Sequence, residues 1–304
     1  MKKIVMLFVF GIGFWSVSLA QDNTGTEAKE APKAKYARAT FNSSAIINMQ
    51  STEIVSKGSL QFMISHHFSN IWTKDAGSQN LAELFGLNSG IAHTYLSFDY
   101  SPKNWLNLGL AAAGSAKYEG WAKFRILRQQ TGPKNIPVSV SFYTMCNVNT
   151  AKDPSIDLTW NRFSFMNQLL VARKFTDKFS LQIMPAWIHF NLVPYGINTS
   201  NEVFSIGIGG KYKLKPKLNL TFEYARQLNM YKNLVSKGSI LNYHPDLIAA
   251  GIEINSGGHL FQFFIGSTTD ASNIDQLARN TSSLKDGNLA FGFRLNRSLS
   301  LKKE

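Results

Sequence analysis

FSIGIGGKYKLKPKLNLTFEY, from Phe204 to Tyr224, is the stretch on which the fold turns. Phe204, Ile206, Ile208, Gly210 and Tyr212 alternate with Ser205, Gly207, Gly209 and Lys211, so an extended chain here has one apolar face and one small or polar face. Lys213 to Lys217, with Pro216 inside, interrupts the strand; Leu218, Leu220, Phe222 and Tyr224 then resume the alternation against Asn219, Thr221 and Glu223. The stretch reads as an antiparallel hairpin with arms of about nine residues, close to the nine to eleven a tilted strand needs to cross a bilayer. Aromatic residues at the ends of the arms suit the two membrane–water interfaces.

The same pattern recurs on both sides of this hairpin. Leu60, Phe62, Ile64 and Phe68 form the apolar face of a first strand, and Thr94, Leu96, Phe98 and Tyr100 that of a second. Later strands follow through Leu106–Ala112, Ala122–Ile126, Val138–Phe142, Phe163–Val171, residues 180–190, Ile248–Ile254, Phe261–Ile265 and Leu289–Leu295. In 180–190 both parities are apolar, which leaves its facing open. The count comes to about twelve, an even number as single-chain barrels require. Connections alternate between longer ones (71–90, 149–161, 192–202, 227–246, 268–288) and shorter ones (101–104, 173–179, 214–217, 256–258), with 115–119 and 128–137 intermediate. This parity predicts a transmembrane antiparallel up-and-down β-barrel with short periplasmic turns and long external loops.

At the N-terminus, Lys2-Lys3, an apolar run from Ile4 to Val17 and Ser18-Leu19-Ala20 predict a cleavable signal peptide over 1–20. Residues 21–39 read as a flexible periplasmic tail. Residues 40–57 form an N-terminal segment near the barrel mouth, and 58–304 form the barrel. Cys146 is the single cysteine, so no disulfide framework exists and the thiol reads as a packed strand residue. The formal charge is +13. The excess lies on the short-turn connections, while the long loops are slightly acidic; outer-membrane lipid headgroups are the expected partner, and export argues against nucleic acid.

Several motifs point to a family. Lys57-Gly58-Ser59-Leu60-Gln61-Phe62-Met63-Ile64-Ser65-His66-His67-Phe68, Leu84-Phe85-Gly86-Leu87, Tyr118-Glu119-Gly120 leading into Lys123 to Gln129, His244-Pro245-Asp246, and Gly257-Gly258-His259-Leu260-Phe261-Gln262 occur together. From about Thr40 to its end, the chain resembles a family of outer-membrane β-barrels of Bacteroidetes-type bacteria known as a domain of unknown function. The resemblance implies the fold and a bacterial outer-membrane location, and it carries no activity or site. His66 departs from expectation by sharing the apolar parity of its strand.

If the apolar parity meets lipid, the lumen receives His93, Asp99, Lys123, Arg125, Glu223, Glu253 and Arg294. Mixed charges inside a barrel predict a passive channel selecting a small polar or anionic solute. The alternative is a closed lumen filled by paired charges, with the barrel a structural or binding platform that meets partners through its long loops. Gly207, Gly209, Gly251 and Gly266 reduce lumen bulk or accommodate curvature. A secreted soluble β-protein is a third possibility.

No enzyme is expected. His66 with Thr94 is the one lipid-facing pair of interest for hydrolysis, and an interfacial histidine is the simpler reading. His66 and His67 point to opposite faces, so they do not chelate one metal ion. Neither haem attachment nor a phosphate-binding loop is visible, and no cofactor is expected.

Overall fold

The computed structural model describes residues 33–86, 92–114, 116–152, 160–193, 200–229, 234–236, 239–241 and 245–301. The expected signal peptide, residues 21–32 of the tail and His244 lie outside them, as does the side chain of Ile240. Twelve antiparallel strands close into a barrel: β1 (Ser59–Trp72), β2 (Ala92–Lys103), β3 (Leu106–Ala113), β4 (Lys117–Leu127), β5 (Ser139–Asn149), β6 (Phe163–Lys174), β7 (Phe179–Phe190), β8 (Glu202–Lys215), β9 (Leu218–Gln227), β10 (Leu247–Ser256), β11 (His259–Gly266) and β12 (Leu289–Ser300). Each strand pairs with its chain neighbours, and β12 closes on β1 through Leu295–Ile64 and Ser300–Ser59. No edge remains unpaired, as a membrane-spanning sheet requires.

The alternation sets the two faces. Leu108, Leu110, Leu169, Ile183, Ile206, Leu220, Ile252 and Ile265 are exposed on the outer wall. Trp105, Phe175 and Tyr212 lie toward the short-turn end, and Trp72, Trp160, Trp187 and Phe204 toward the other. An apolar band between aromatic belts is what hydrocarbon selects. In β7 the even residues Gln182, Met184, Ile188 and Phe190 are buried inside, while Ile183 and Trp187 face out.

Loop lengths depart from the expected parity at two places. β3 ends at Ala113 and β4 restarts at Lys117, a tight turn at the long-loop end. At the opposite end, the chain between Leu127 and Ser139 carries Gln130 and Thr131, which pair antiparallel with Tyr36 and Lys35. The long loop after β1 folds outward rather than into the lumen: Phe85 packs edge-on against Phe68 and Phe291, at ring-centroid separations of 5.9 and 5.2 Å. Phe68 sits at a register irregularity between His67 and Asn70, and Phe85 buries it from outside.

Inside, the lumen is filled. Thr40 to Thr52 run through it, almost every residue buried. On the β5–β7 side the wall contributes Tyr143, Met145, Met166, Leu170, Met184, Ile188 and Phe190; the β1–β4 and β10–β12 side contributes Gln61, Ser65, Asp99, Asn107, Lys123, Glu253, Gln262 and Arg294. Both sides mix the two kinds of group: Ser141, Gln168 and Gln182 lie among the β5–β7 residues, and Met63, Tyr95, Trp121 and Phe264 on the other side.

Candidate functional site

The segment 40–57, expected at the barrel mouth, penetrates to the middle of the lumen. Its path is a tight reversal in which Ser51 N–H donates to Ser44 O (2.9 Å), Ile46 N–H donates to Met49 O (2.8 Å) and Ala45 bridges Gln50. A segment this short cannot satisfy its own backbone, and buried peptide groups demand partners. The barrel wall supplies them from side chains.

At the tip, the Glu223 carboxylate on β9 accepts three successive backbone N–H groups, from Ile47 (2.7 Å), Asn48 (2.8 Å) and Met49 (2.9 Å). Consecutive N–H groups converging on one anion form a nest, here with the anion belonging to the wall. Lys123 on β4 supplies the complementary charge. Its ammonium donates to the carbonyls of Ser44 (2.8 Å), Ser51 (2.9 Å) and Glu53 (3.2 Å). Gln182 accepts from Thr52 N–H (2.8 Å) and donates to Gln50 O (2.7 Å), and Gln262 donates to Ile46 O (2.6 Å). Lower down, Lys211 donates to Ala39 O (2.7 Å) and Asn42 Oδ1 (3.1 Å), while Asn42 donates to Glu253 (2.8 Å).

Two lumen glycines fit this plug. A Cβ at Gly209 would come within 2.7 Å of Ile46 Cδ1, and one at Gly207 within 2.9 Å of Met49 Sδ. The space these glycines leave is occupied by the plug's apolar knobs.

A second closure comes from the long-loop end. The loop between β11 and β12 carries a short helix, α1 (Asn273–Ala278), all of whose residues are buried. Ile274, Leu277 and Ala278 join the apolar core, and Arg279 lies over the Phe190 ring at 4.0 Å. Asn273 donates to Asn48 O and Gln276 to Asn48 Oδ1 (3.4 Å), so the two closures meet at Asn48. Ser272 donates to Glu119 (2.5 Å), and Lys117 pairs with Asp275. Burial, with Asp275 nearby, raises the Asp270 carboxyl above its ordinary value.

The residues singled out from sequence are thus distributed as follows. Lys123, Glu223 and Glu253 bond the plug directly. Asp99 accepts from Asn107 (2.6 Å), Trp121 (3.1 Å) and the plug's Ser44 (3.3 Å). Arg125 sits near the short-turn rim, donating to Asn104 O (3.1 Å) with Glu53 at 3.7 Å. His93 is half-buried, opposite His67. Arg294 is buried; its Nε and Nη1 have no hydrogen-bond partner among the described residues. In this conformation Lys123, Glu223, Glu253, Asp99 and Arg125 are bonded to the plug or to the wall, and Arg294 is enclosed.

Sequence reasoning did not single out Glu119 or Gln182. Glu119, placed in a turn by the spacing, lies on β4 and accepts from Tyr95 (2.8 Å), Asn147 (3.3 Å) and Ser272. Its parity with Trp121 and Lys123 was the available signal. Gln182 was hidden by the doubly apolar character of its strand.

On the outer wall, Thr94 Oγ1 and His66 Nδ1 lie 3.0 Å apart, with the His66 ring against Phe293 at 5.0 Å. Among the described residues no carboxylate or amide bonds the other ring nitrogen, so the pair lacks an orienting third group. His67 points inward and packs against Phe264 at 5.1 Å.

A family model described as a membrane-bound beta barrel domain, DUF5777, matches residues 41–299. No curated protein matches the sequence. Among solved structures, the chain is similar to the KdgM porin at 8% identity and TM-score 0.48, covering 78% of this chain and 99% of the porin. It is similar to the NanC porin at 8% and 0.45, covering 80% and 100%, and to a Pseudomonas aeruginosa FadL homologue at 10% and 0.41, covering 87% and 94%. At such identities and TM-scores these likenesses say nothing about what this chain binds or passes.

Proposed function

This chain belongs to the DUF5777 family of membrane-bound β-barrel domains, and we propose that it is an outer-membrane passage for a small polar or anionic solute, held shut by its own N-terminal segment. The observation that carries the reading is the chemistry of the plug–wall contact. Glu223, Lys123, Gln182, Gln262 and Lys211 hold backbone groups by hydrogen bonds. Such bonds contribute about 1.5–3 kcal/mol each where the side chain is charged and about 0.5–1.5 where it is neutral; water entering the lumen can replace both kinds, so this part of the plug's hold is displaceable, with Phe41, Ile46, Ile47 and Met49 as its apolar anchors. Once the segment withdraws, Lys123, Arg125 and Arg294 stand free as attractive charges beside Asp99, Glu223 and Glu253. The short-turn end faces the periplasm in this reading, with residues 1–20 serving export and the basic turns against phospholipid headgroups. No catalytic step is assigned.

The filled lumen itself favours a second reading: a permanently closed barrel that acts as a platform through its long loops. Conductance of the refolded chain in planar bilayers separates the two. The gated reading expects a mostly silent barrel with brief stepwise openings, and an open probability raised about tenfold or more in Glu223→Ala, where three buried N–H groups lose their acceptor. A Glu223→Ala barrel that is folded and silent supports the platform.

A further inference from the structure

Beside the plug, at the short-turn end, lies a polar recess of about 320 Å³. Its walls come from Asn42 of the plug, Gln61 of β1, Asn255 and Ser256 of β10, and Asn296 and Ser298 of β12. Leu260 is the one large apolar side chain in the wall, and Lys217 and His259 stand at its edge. No carboxylate lines it.

The hydrogen-bonding state of these groups matters more than their number. Gln61 is committed, accepting from Ser44 (2.9 Å) and donating to Ser298 (3.3 Å). Asn42 is committed to Glu253 and Lys211. Asn296 is half committed: its Nδ2 donates to Ser43 Oγ (3.1 Å), but its Oδ1, in a residue 2% exposed, has no partner among the described residues. A buried acceptor left unpaired beside a recess calls for a donor from whatever fills it. The side chains of Asn255 and Ser256 add an amide and a hydroxyl.

We infer that this recess is a binding site for a small polyhydroxylated solute of monosaccharide size. Three features select that class. The volume lies at the lower end of the range for small-molecule sites, roughly 300–1,000 Å³. Amides and hydroxyls each donate and accept, and so match sugar hydroxyls, which do the same. With Lys217 in the wall and no acid, the site offers no carboxylate to hold an organic cation, and His259 is its one imidazole. Asn42 belongs to the plug, so the site is complete only while the plug is seated, and an occupant stabilises the seated state by linkage. The occupant is therefore a solute that holds the passage shut, and the inference rests on the proposed passage for its biological use.

The test uses the full refolded chain in detergent micelles, with folding checked by heat-modifiable gel migration, and D-glucose as the probe. Ligand-observed saturation-transfer NMR is expected to show saturable binding. Asn296→Leu should weaken it by about tenfold, since the pairing acceptor is lost. Asn255→Ala should weaken it less, and Lys134→Ala, on another turn, should leave it unchanged. Glucose should also slow amide exchange at Ile47–Met49. Non-saturable signal, or saturable signal that Asn296→Leu and Asn255→Ala both leave intact, overturns the site. Binding by a barrel that never conducts sinks the passage and keeps the site; conductance without glucose binding does the reverse.

Discussion

The lumen is closed twice, and the two closures are built from different chemistry. The N-terminal plug enters from the short-turn end; charged and amide side chains grip its backbone, while Phe41, Ile46, Ile47 and Met49 are buried in the apolar core, Ile46 and Met49 seated on glycines. α1 enters from the other end and is held chiefly by apolar burial, with Ile274, Leu277 and Ala278 in the core and few bonds to the wall. The plug's backbone depends on a number of wall donors and acceptors that water can replace, beside its four apolar side chains in the core. α1, with few bonds to the wall, depends more on area kept from water, which nothing polar replaces. Entering water weakens the plug's polar hold and leaves its apolar anchors, so the plug is expected to loosen before α1.

Substitutions that remove single groups should separate the two. The largest effect is expected from Glu223→Ala, which strands three plug amides at about 1–3 kcal/mol each if water cannot reach them; hydrogen exchange at Ile47–Met49 should accelerate at least tenfold while α1 amides hold. Equal acceleration at both closures would mean that they move as one body through Asn48. Next comes Ile274→Ala, expected to cost about 2–5 kcal/mol of local stability and to expose the loop 267–288 to protease with little change in plug exchange. Gly209→Val is a finer probe, because its Cβ meets Ile46 Cδ1; it should loosen the plug by about 1–3 kcal/mol, and Ile46→Ala in the same chain should restore part of the loss. Non-additivity between those two is the readout.

The smallest effects concern charge. Arg125→Glu, at the rim, should lower anion preference of open channels by a modest shift in reversal potential; an unchanged potential removes Arg125 from the passage. Asp270, whose carboxyl is raised above its ordinary value by burial, should weaken the loop's docking when ionised. That penalty is present above the raised value and is relieved as pH falls through it, so protease resistance of the loop should rise on acidification, and Asp270→Asn should mimic this at neutral pH.

Much of this barrel was legible in the sequence because hydrocarbon imposes a strict rule on each outward position. The period-two alternation in Phe204–Tyr224 and its repeats fixed strand number, facing and the lumen parity of Lys123, Glu223 and Arg294. The plug was not legible for the converse reason. Its residues Thr40–Thr52 have no periodicity, since their partners are side chains spread over β4, β7, β8, β9, β11 and β12, and nothing local in NSSAIINMQST encodes those. The glycines at 207 and 209 showed that space existed in the lumen but not what occupied it. Loop lengths misled at 114–116 and 128–138, where the chain spends its residues on a tight turn and on pairing with Lys35–Tyr36.

The plug precedes every strand of the barrel, yet it sits inside the wall they form. The bond between Ser43 and Asn296 spans 253 residues, and that between Ile47 and Glu223 spans 176. A hairpin such as β8–β9 forms from near neighbours, whereas these contacts need the whole chain and belong to the slow, late part of assembly. The seam of β12 on β1 and the plug's contacts draw on the same distant parts of the chain, so the plug is expected to take part in how the wall finds its final register. A chain lacking residues 40–55 should close more slowly, or into a less uniform population, than one that carries its own mandrel.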